Sequence, residues 1–190
     1  MTRIHVLGAS GSGTTTLGAA LATKLGCPHE DTDDWFWLPT DPPFTTRRPA
    51  PARLELLLPR LAGAAWVLSG SALKWGAPLE PLFDLVVFLR LDPALRMARL
   101  VRREAERYGA RIAPGGDMEA ASHAFLDWAE SYDTAGVEHR SLAAHEQWLA
   151  ARTCPVLRLD SAAPVEDLVA AVLAHLPAGP RRARSQPHHR

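Results

Sequence analysis

The feature that most constrains this chain is a glycine-rich segment near its start, Gly8–Thr16 (GASGSGTTT). It directly follows a short apolar run, Arg3–Leu7, which is typical of a buried parallel strand. Thr14–Leu25 then carries leucines at every fourth position, a spacing that predicts a helix with one apolar face, and Gly26 is placed to end it. A strand, a glycine-rich turn and a helix in this order predict a turn at the carboxyl end of a buried strand.

The spacing of the glycines predicts a phosphate-binding loop. Gly8 and Gly13 stand at the GxxxxG spacing, and Thr15 occupies the position whose hydroxyl ligates Mg²⁺. Glycines let successive backbone N–H groups turn inward, and the helix N-terminus adds partial positive charge. Thr14 stands where such loops carry a lysine, so a point charge at the β- and γ-phosphates is missing while the amides remain. The predicted nucleotide-binding residues are Gly8, Ala9, Ser10, Gly11, Ser12, Gly13, Thr14, Thr15 and Thr16.

Two alternatives remain open for this segment. A dinucleotide-binding loop has the pattern GxGxxG, and Gly11-Ser12-Gly13 begins that pattern, but Thr16 stands where the third glycine belongs. An acidic residue about twenty positions later, such as Asp33, suits that alternative. The other alternative is a turn rich in glycine and serine that binds no ligand.

Strand and helix patterns alternate along the rest of the chain. This alternation predicts a three-layer α/β/α domain with a five-stranded parallel sheet over residues 1–176. The expected later strands are Ala65–Ser69, Leu85–Leu91 and Val156–Leu159, with helices at Arg53–Leu61, from Asp92-Pro93 to Tyr108, and near 118–134, 141–151 and 164–176. Residues 177–190 lack apolar content and are predicted to form a disordered basic tail.

The composition limits the class of partner. The formal net charge is zero, which gives no general attraction to nucleic acid or to an anionic membrane. The two cysteines, Cys27 and Cys154, have no metal-ligand or CxxC spacing, and neither a secretory signal nor a long apolar run is evident. We therefore expect a cytoplasmic protein with reduced thiols and no nucleic-acid or membrane partner. The oligomeric state cannot be predicted from the sequence.

The loop and the order of elements together resemble the P-loop kinase group, which includes the adenylate, shikimate and gluconate kinases. GASGSGTTTLG is also similar to a lysine-less subgroup described as topology-modulation-like. The resemblance implies a P-loop NTPase fold, ATP and Mg²⁺ as cofactors, and transfer of the ATP γ-phosphoryl group to a nucleoside monophosphate or another small-molecule acceptor. It also implies an acceptor-binding segment at residues 38–62 and a lid at residues 107–120.

Three aspartates follow the second strand. Asp31 and Asp33 match the D-x-D of shikimate-type kinases, which implies that Asp31 lies near Mg²⁺ and that Asp33 accepts the substrate hydroxyl. A carboxylate beside an attacking hydroxyl orients it and can take its proton. The alternative is a helix N-cap with acidic residues in the first turn. Trp35 comes next; it either stacks on a substrate ring or packs in the core.

Basic residues supply further candidates. Arg47 and Arg48 lie in the proline-rich loop where nucleotide kinases bind the monophosphate, although a solvated loop pair explains them equally well. Ser69-Gly70 stands where those kinases carry Asp-Gly, so the usual acidic partner of Mg²⁺ is absent there. Lys74 matches their later basic position, and we expect it to contact the acceptor or to replace the missing loop lysine.

An arginine-rich helix follows the fourth strand. Arg99 and Arg103 best match the arginines with which the kinase group neutralises charge in the transition state. The alternative is a solvated helix face balanced by glutamates. The predicted catalytic residues are thus Asp33, Lys74, Arg99 and Arg103. A second class of function also stays open, a nucleotide-binding switch or sensor with little turnover, because both the loop lysine and the strand-three aspartate are missing.

Overall fold

A computed structural model describes residues 1–176, and the predicted basic tail at 177–190 lies outside the described residues. Five strands form one sheet: β1 (Thr2–Gly8), β2 (His29–Asp31), β3 (Ala65–Ser69), β4 (Leu85–Arg90) and β5 (Val156–Asp160). Their order is β2-β3-β1-β4-β5, and every neighbouring pair is parallel. The predicted five-stranded parallel sheet is confirmed.

Seven α-helices connect and cover the strands of the described region: α1 (Thr14–Leu25), α2 (Thr32–Phe36), α3 (Ala50–Arg60), α4 (Pro93–Tyr108), α5 (Glu119–Glu130), α6 (Leu142–Ala150) and α7 (Val165–His175). Short 3-10 turns lie at Ala77–Leu82, Gly109–Ile112 and Ser131–Asp133. None of the described helices is both long enough and apolar enough to cross a membrane.

Each face of the sheet packs against its own apolar core. On one face Leu7, Trp66 and Phe88 are buried together with Leu57 of α3. On the other face Ile4, Val6 and Val87 pack against Leu17 and Leu21 of α1 and Val172 of α7. Because successive residues of a strand point to opposite faces, β1 contributes to both cores and lies at the centre of three layers.

Element boundaries differ modestly from the sequence expectation. Helix α3 begins at Ala50 rather than Arg53, because Pro49 occupies its N-cap and Pro51 falls in the first turn, where a proline is tolerated. The helix expected over 118–134 ends at Glu130 and continues as the 3-10 turn.

The sheet register brings the ends of three strands together. Val6 of β1 pairs with Ser69 of β3, and Ser69 pairs with Asp31 of β2. The segments that follow β1, β2 and β3 therefore start from one edge of the sheet, where parallel α/β folds bind their ligands. The strand order also argues against a dinucleotide-binding fold, in which β2 rather than β3 lies beside β1.

Candidate functional site

The loop between β1 and α1 presents an uncapped helix N-terminus. Gly11 and Gly13 take φ values of 84° and 87°, which favour glycine, and Gly13 is the N-cap residue of α1. No side chain of the described residues caps this helix. Ser12 closes the turn from within, since its backbone N–H and its hydroxyl both donate to the carbonyl oxygen of Ala9, at 3.1 and 2.8 Å. The free N–H groups of the first turn, with the helix dipole, form a site for an anion.

Steric crowding fixes glycine at the start of this loop. A β-carbon placed on Gly8 would lie 2.5 Å from Ser12 Oγ and 2.7 Å from the carbonyl oxygen of Leu89, well inside contact distance. Gly8 and Ala9 are buried and Ser10 is half-buried, so these residues form the base of the loop. Residues 11–16 line the open cleft above it.

Asp31 links the helix to the sheet. Its Oδ2 accepts the hydroxyl of Thr15 at 2.6 Å and the hydroxyl of Ser69 at 2.8 Å. Its Oδ1 accepts the backbone N–H of Asp33 at 3.0 Å, which makes Asp31 the N-cap of α2. His29 Nε2 lies 2.9 Å from Ser69 Oγ and extends the chain of contacts. The N-cap alternative for the acidic cluster is therefore present in the structure, on the same carboxylate that contacts Thr15.

The Thr15–Asp31 pair fits a magnesium site. Within residues 1–176 no group of three or more His, Cys, Asp or Glu side chains could hold a metal by itself. Mg²⁺ usually binds through one or two protein oxygens together with substrate phosphates and water. A threonine hydroxyl and a carboxylate beside an anion-binding helix N-terminus match that donor set.

Asp33 faces the cleft with a perturbed carboxyl. Although the residue is exposed to solvent, desolvation by the surrounding cleft walls raises the pKa of its carboxyl above the ordinary value of 3.8, and the charge of Asp31 raises it further. The charges of Arg140, Arg103 and Arg107 act in the opposite direction. Four charged groups are thus close enough to Asp33 to influence its ionisation, and three of them are cations.

Arginines of α4 form the opposite wall of the cleft. Arg103 is half-buried, its Nε is buried without a hydrogen-bond partner among the described residues, and desolvation lowers the pKa of its guanidinium. Arg99 Nη1 lies 4.0 Å from the position that a β-carbon on Gly13 would take. Arg107 lies over the ring of Phe44, with Cζ 4.0 Å from the ring centroid. Cations that face an anion-binding loop with few ion-pair partners are suited to a polyphosphate.

These elements enclose a cleft of about 850 Å³. Its walls combine the loop, α2, α4 and the segment after β5, and they include Asp31, Asp33, Asp34, Phe44, Arg99, Arg102, Arg103, Glu106, Arg107, Ser161, Ala163 and Val165. The cleft therefore brings together the predicted loop residues 11–16, Asp31, Asp33, Arg99 and Arg103.

Besides Gly8, Ala9 and Ser10 at the base of the loop, four predicted residues do not line this cleft. Lys74 is exposed and donates from Nζ to the carbonyl oxygen of Glu138, away from the loop. Arg48 donates to the carbonyl oxygens of Asp34 and Trp35 at the end of α2, and Trp35 packs against the core. The guanidinium of Arg47 lies 5.9 Å from the centroid of the Phe36 ring. Lys74 and Arg48 bind backbone carbonyls, Arg47 is exposed, and Trp35 packs in the core although its Nε1 has no hydrogen-bond partner among the described residues. The substrate roles expected for these four residues gain no support from their positions.

Arg140 was missed by the sequence analysis. Its Nη2 donates to the carbonyl oxygen of Gly8 at 3.1 Å, although 132 residues separate the two in the chain. Its signal in the sequence is weak: one arginine beside Ser141, the N-cap of α6, in a turn segment with no recognised motif.

The predicted acceptor segment contacts the predicted lid. Tyr108 Oη donates to the carbonyl oxygen of Pro43 at 2.9 Å. Arg111 pairs with Asp117 inside the lid and reaches Asp41 of the acceptor segment at 2.8 Å. These contacts lie next to the cleft, since Phe44 and Arg107, the neighbours of Pro43 and Tyr108 in the chain, line it.

Comparison with known proteins places the chain in a family. No family model matches it. The chain is 46% identical over 174 residues to the uncharacterized protein YqaC of Bacillus subtilis (strain 168), covering 91% of this chain and 96% of that protein. The chain belongs to the YqaC family.

Solved structures place the YqaC-family chain in a fold group. A shikimate kinase from Bacteroides thetaiotaomicron matches with a TM-score of 0.54 and 19% identity, over 92% of this chain and 99% of the other. A gluconokinase from Sinorhizobium meliloti 1021 matches with a TM-score of 0.51 and 21% identity, over 91% and 90%. The fold of this YqaC-family protein is that of the P-loop small-molecule kinases, as the sequence resemblance implied.

Proposed function

We propose that this YqaC-family protein is an ATP-dependent phosphotransferase that acts on a small hydroxyl- or phosphate-bearing acceptor. The observation that carries the proposal is the hydrogen bond between Thr15 and Asp31 at the uncapped N-terminus of α1. It joins an anion-binding turn to a carboxylate, and Asp33 stands on the same short segment as that carboxylate. The fold of kinases with small-molecule acceptors agrees with this arrangement.

In this proposal, residues 8–16 hold the phosphates through backbone amides, and Thr15 and Asp31 hold Mg²⁺. Bound Mg²⁺ supplies charge neutralisation at the phosphate oxygens. Asp33 orients the acceptor hydroxyl and takes its proton, while Arg99 and Arg103 neutralise the charge that develops on the phosphoryl group. The acceptor oxygen forms a bond to the γ-phosphorus, the bond from that phosphorus to the β,γ-bridging oxygen breaks, and ADP leaves.

The same proposal assigns functions to two segments. Residues 38–62 form part of the acceptor site, and residues 107–120 act as the lid. The contact of Phe44 with Arg107 supports both assignments, because Phe44 and Arg107 also line the cleft. Closure of such a lid excludes water from the transferred group.

Binding and transfer are tested in two steps. Calorimetry with Mg·ATP measures affinity, and a single-turnover assay with γ-labelled ATP and pooled small metabolites detects transfer to an acceptor. Thr15→Val should weaken Mg·ATP binding by about tenfold, since it removes a hydroxyl bonded to a charged partner. Thr23→Val is the matched control, because Thr23 lies on the same helix and donates only to the carbonyl oxygen of Ala19. Absence of Mg·nucleotide affinity in the unmodified protein would overturn the proposal.

A nucleotide-dependent switch or sensor is the second candidate. Thr14 and Ser69 favour it, since they stand where kinases of this group carry a lysine and an aspartate. This candidate predicts tight Mg·ATP binding with no label transferred to any acceptor during a single turnover.

A further inference from the structure

The cleft lacks the lysine that P-loops place beside the β- and γ-phosphates. The chain has two lysines, Lys24 and Lys74. Lys24 lies in the last turn of α1, at the end of the helix away from the loop. Lys74 is bonded to Glu138 outside the cleft. Because neither lysine is placed to compensate, arginine is the remaining permanently charged side chain that could do so.

Arg140 differs from the arginines of α4 in its contact with the loop. It donates directly to the carbonyl oxygen of Gly8, the first residue of the loop, at 3.1 Å. Its Nε is buried and has no hydrogen-bond partner within the described part of the chain. Arg99, by contrast, is exposed on α4 and forms no hydrogen bond to the loop within residues 1–176.

Arg140 does not itself line the cleft, but its charge lies close enough to Asp33 and Asp31 to interact with both carboxylates. Burial lowers the pKa of its guanidinium, and Asp33 is the largest favourable charge acting on it, with a smaller contribution from Asp31. No ion pair joins Arg140 to either carboxylate within residues 1–176. Arg140 is half-buried, and a partly desolvated cation without a bonded anion costs free energy that a bound polyphosphate would reduce.

Neighbouring contacts hold the Arg140 segment in place. Ser141 is fully buried, donates to the carbonyl oxygen of Gly136 at 2.7 Å and accepts the backbone N–H of Ala144 at 3.1 Å. Arg140 Cζ lies 5.7 Å from the centroid of the Trp128 ring. Lys74 donates to the carbonyl oxygen of Glu138, two residues before Arg140. The Ser141 and Lys74 contacts hold the backbone around Arg140, and its side chain contacts Gly8 and the Trp128 ring.

We propose that Arg140 supplies, from outside the loop, the positive charge that a P-loop lysine supplies from within it, and that Lys74 is a positioning residue for the Arg140 segment. This inference rests on the proposed nucleotide-binding function. Because the guanidinium is anchored to the base of the loop, its charge is already oriented when the phosphates bind, which is the condition under which such a group contributes most. The proposal also explains why the chain tolerates threonine at position 14.

The inference is tested by removing the positive charge at position 140 and placing one at position 14. Arg140→Ala should lower the single-turnover rate by about 10²-fold, comparable to removal of one preorganised donor. Thr14→Lys should restore at least tenfold in the Arg140→Ala background and give no gain in the unmodified protein, where two cations would compete for one space. Arg158→Ala, which removes an exposed arginine paired with Glu146, is the control and should leave the rate unchanged. A Thr14→Lys substitution that fails to rescue a folded Arg140→Ala protein would overturn the inference.

Nucleotide affinity gives a readout that does not require turnover. Arg140→Ala should weaken binding of Mg·ATP by about tenfold or more while changing AMP binding little, because AMP lacks the β- and γ-phosphates. This result would support the inference even if no acceptor were phosphorylated, so failure of the kinase proposal and failure of the Arg140 proposal remain distinguishable. An unchanged ATP affinity together with a raised KM for the acceptor would place Arg140 on the acceptor instead and overturn the inference.

The positioning role of Lys74 is tested by a double-mutant cycle. Lys74→Ala should reduce the rate less than Arg140→Ala and should cost nothing further once Arg140 is absent, because it acts only through that side chain. Additive losses would contradict the positioning role. Arg140→Lys keeps a positive charge at this position and provides a second variant should Arg140→Ala fail to fold. It should retain the preference for ATP over AMP. Loss of that preference in Arg140→Lys would contradict the charge role.

Discussion

The hydroxyl of Thr15 donates to Oδ2 of Asp31 at 2.6 Å and joins the first turn of α1 to the end of β2. Ser69 donates to the same oxygen from the end of β3. Three adjoining elements therefore converge on one carboxylate beside the proposed phosphate-binding loop. Ser69 stands where nucleotide kinases carry an aspartate, and in this chain its hydroxyl bonds the carboxylate of Asp31 on the neighbouring strand.

Replacement of Asp31 should weaken the binding of Mg²⁺ more than the binding of the nucleotide itself. Asp31→Asn should raise the Mg²⁺ concentration needed for half-maximal ATP binding by about tenfold or more, and Ser69→Ala should raise it by less, since the serine only orients the carboxylate. A Mg²⁺ titration at fixed ATP, followed by calorimetry, measures both. Asp34→Asn removes a charge from the same cleft without touching Thr15 and is the control. Equal shifts for Asp31→Asn and Asp34→Asn would show that only the net charge of the cleft matters.

The ionised carboxylate of Asp33 should destabilise the folded protein at neutral pH. Its pKa in the folded protein is raised, so its favourable contribution is complete below the unfolded value of about 3.8 and is lost as pH rises through the folded pKa. Asp33→Asn should therefore raise Tm at pH 7, with a gain that shrinks toward pH 4, while it lowers phosphoryl transfer by about 10²-fold or more.

Asp84 provides the opposite case for comparison with Asp33. Its pKa is lowered chiefly by hydrogen bonding to Arg3, so its contribution is present at neutral pH and is lost on acidification. Asp84→Asn should lower Tm at pH 7. A lower Tm for Asp33→Asn as well would contradict the assignment of a strained carboxylate to Asp33.

The regular part of the molecule could be predicted from its sequence because it depends on local pattern. Apolar runs bounded by glycine and proline indicated the strands, and the GxxxxG spacing indicated the loop between β1 and α1. The D-x-D match likewise brought Asp31 and Asp33 to the cleft, since both follow the end of a strand whose position the fold determines.

The long-range contacts could not be predicted in the same way. Arg140 donates to the carbonyl oxygen of Gly8, which is 132 residues away in the sequence, and no local pattern predicts such a contact. Arg48 and Lys74 looked like free cations because a sequence does not show which backbone carbonyls lie within reach. Both bind such carbonyls, Arg48 at the end of α2 and Lys74 at Glu138.

A buried histidine should make the protein sensitive to acid. His145 is fully buried between Ser71 and Tyr132, with its ring nitrogens 3.1 and 2.6 Å from their hydroxyl oxygens. Desolvation lowers its pKa from 6.5 to about 3, so its contribution is complete above pH 6.5 and is lost as pH falls toward the folded value.

His145→Gln keeps hydrogen-bonding groups at this position but removes the titration. Between pH 6 and 4 it should flatten the fall in unfolding free energy by up to ~1.4 kcal/mol per pH unit, measured by urea denaturation. His123→Gln, at an exposed position, is the control. An unchanged slope for His145→Gln would show that other groups govern acid unfolding.

The contact between the proposed lid and the proposed acceptor segment should control how often the cleft opens. Asp41 and Asp117 both bind Arg111, but only Asp41 lies in the acceptor segment. Asp41→Asn should therefore accelerate hydrogen exchange in residues 38–48 more than Asp117→Asn, and Tyr108→Phe should add to the effect by removing the bond to Pro43. Exposed ion pairs contribute little to global stability, so Tm should change little in the Asp41 and Asp117 variants. Equal exchange in those two variants would mean that Arg111 orders the lid alone and does not hold the acceptor segment against it.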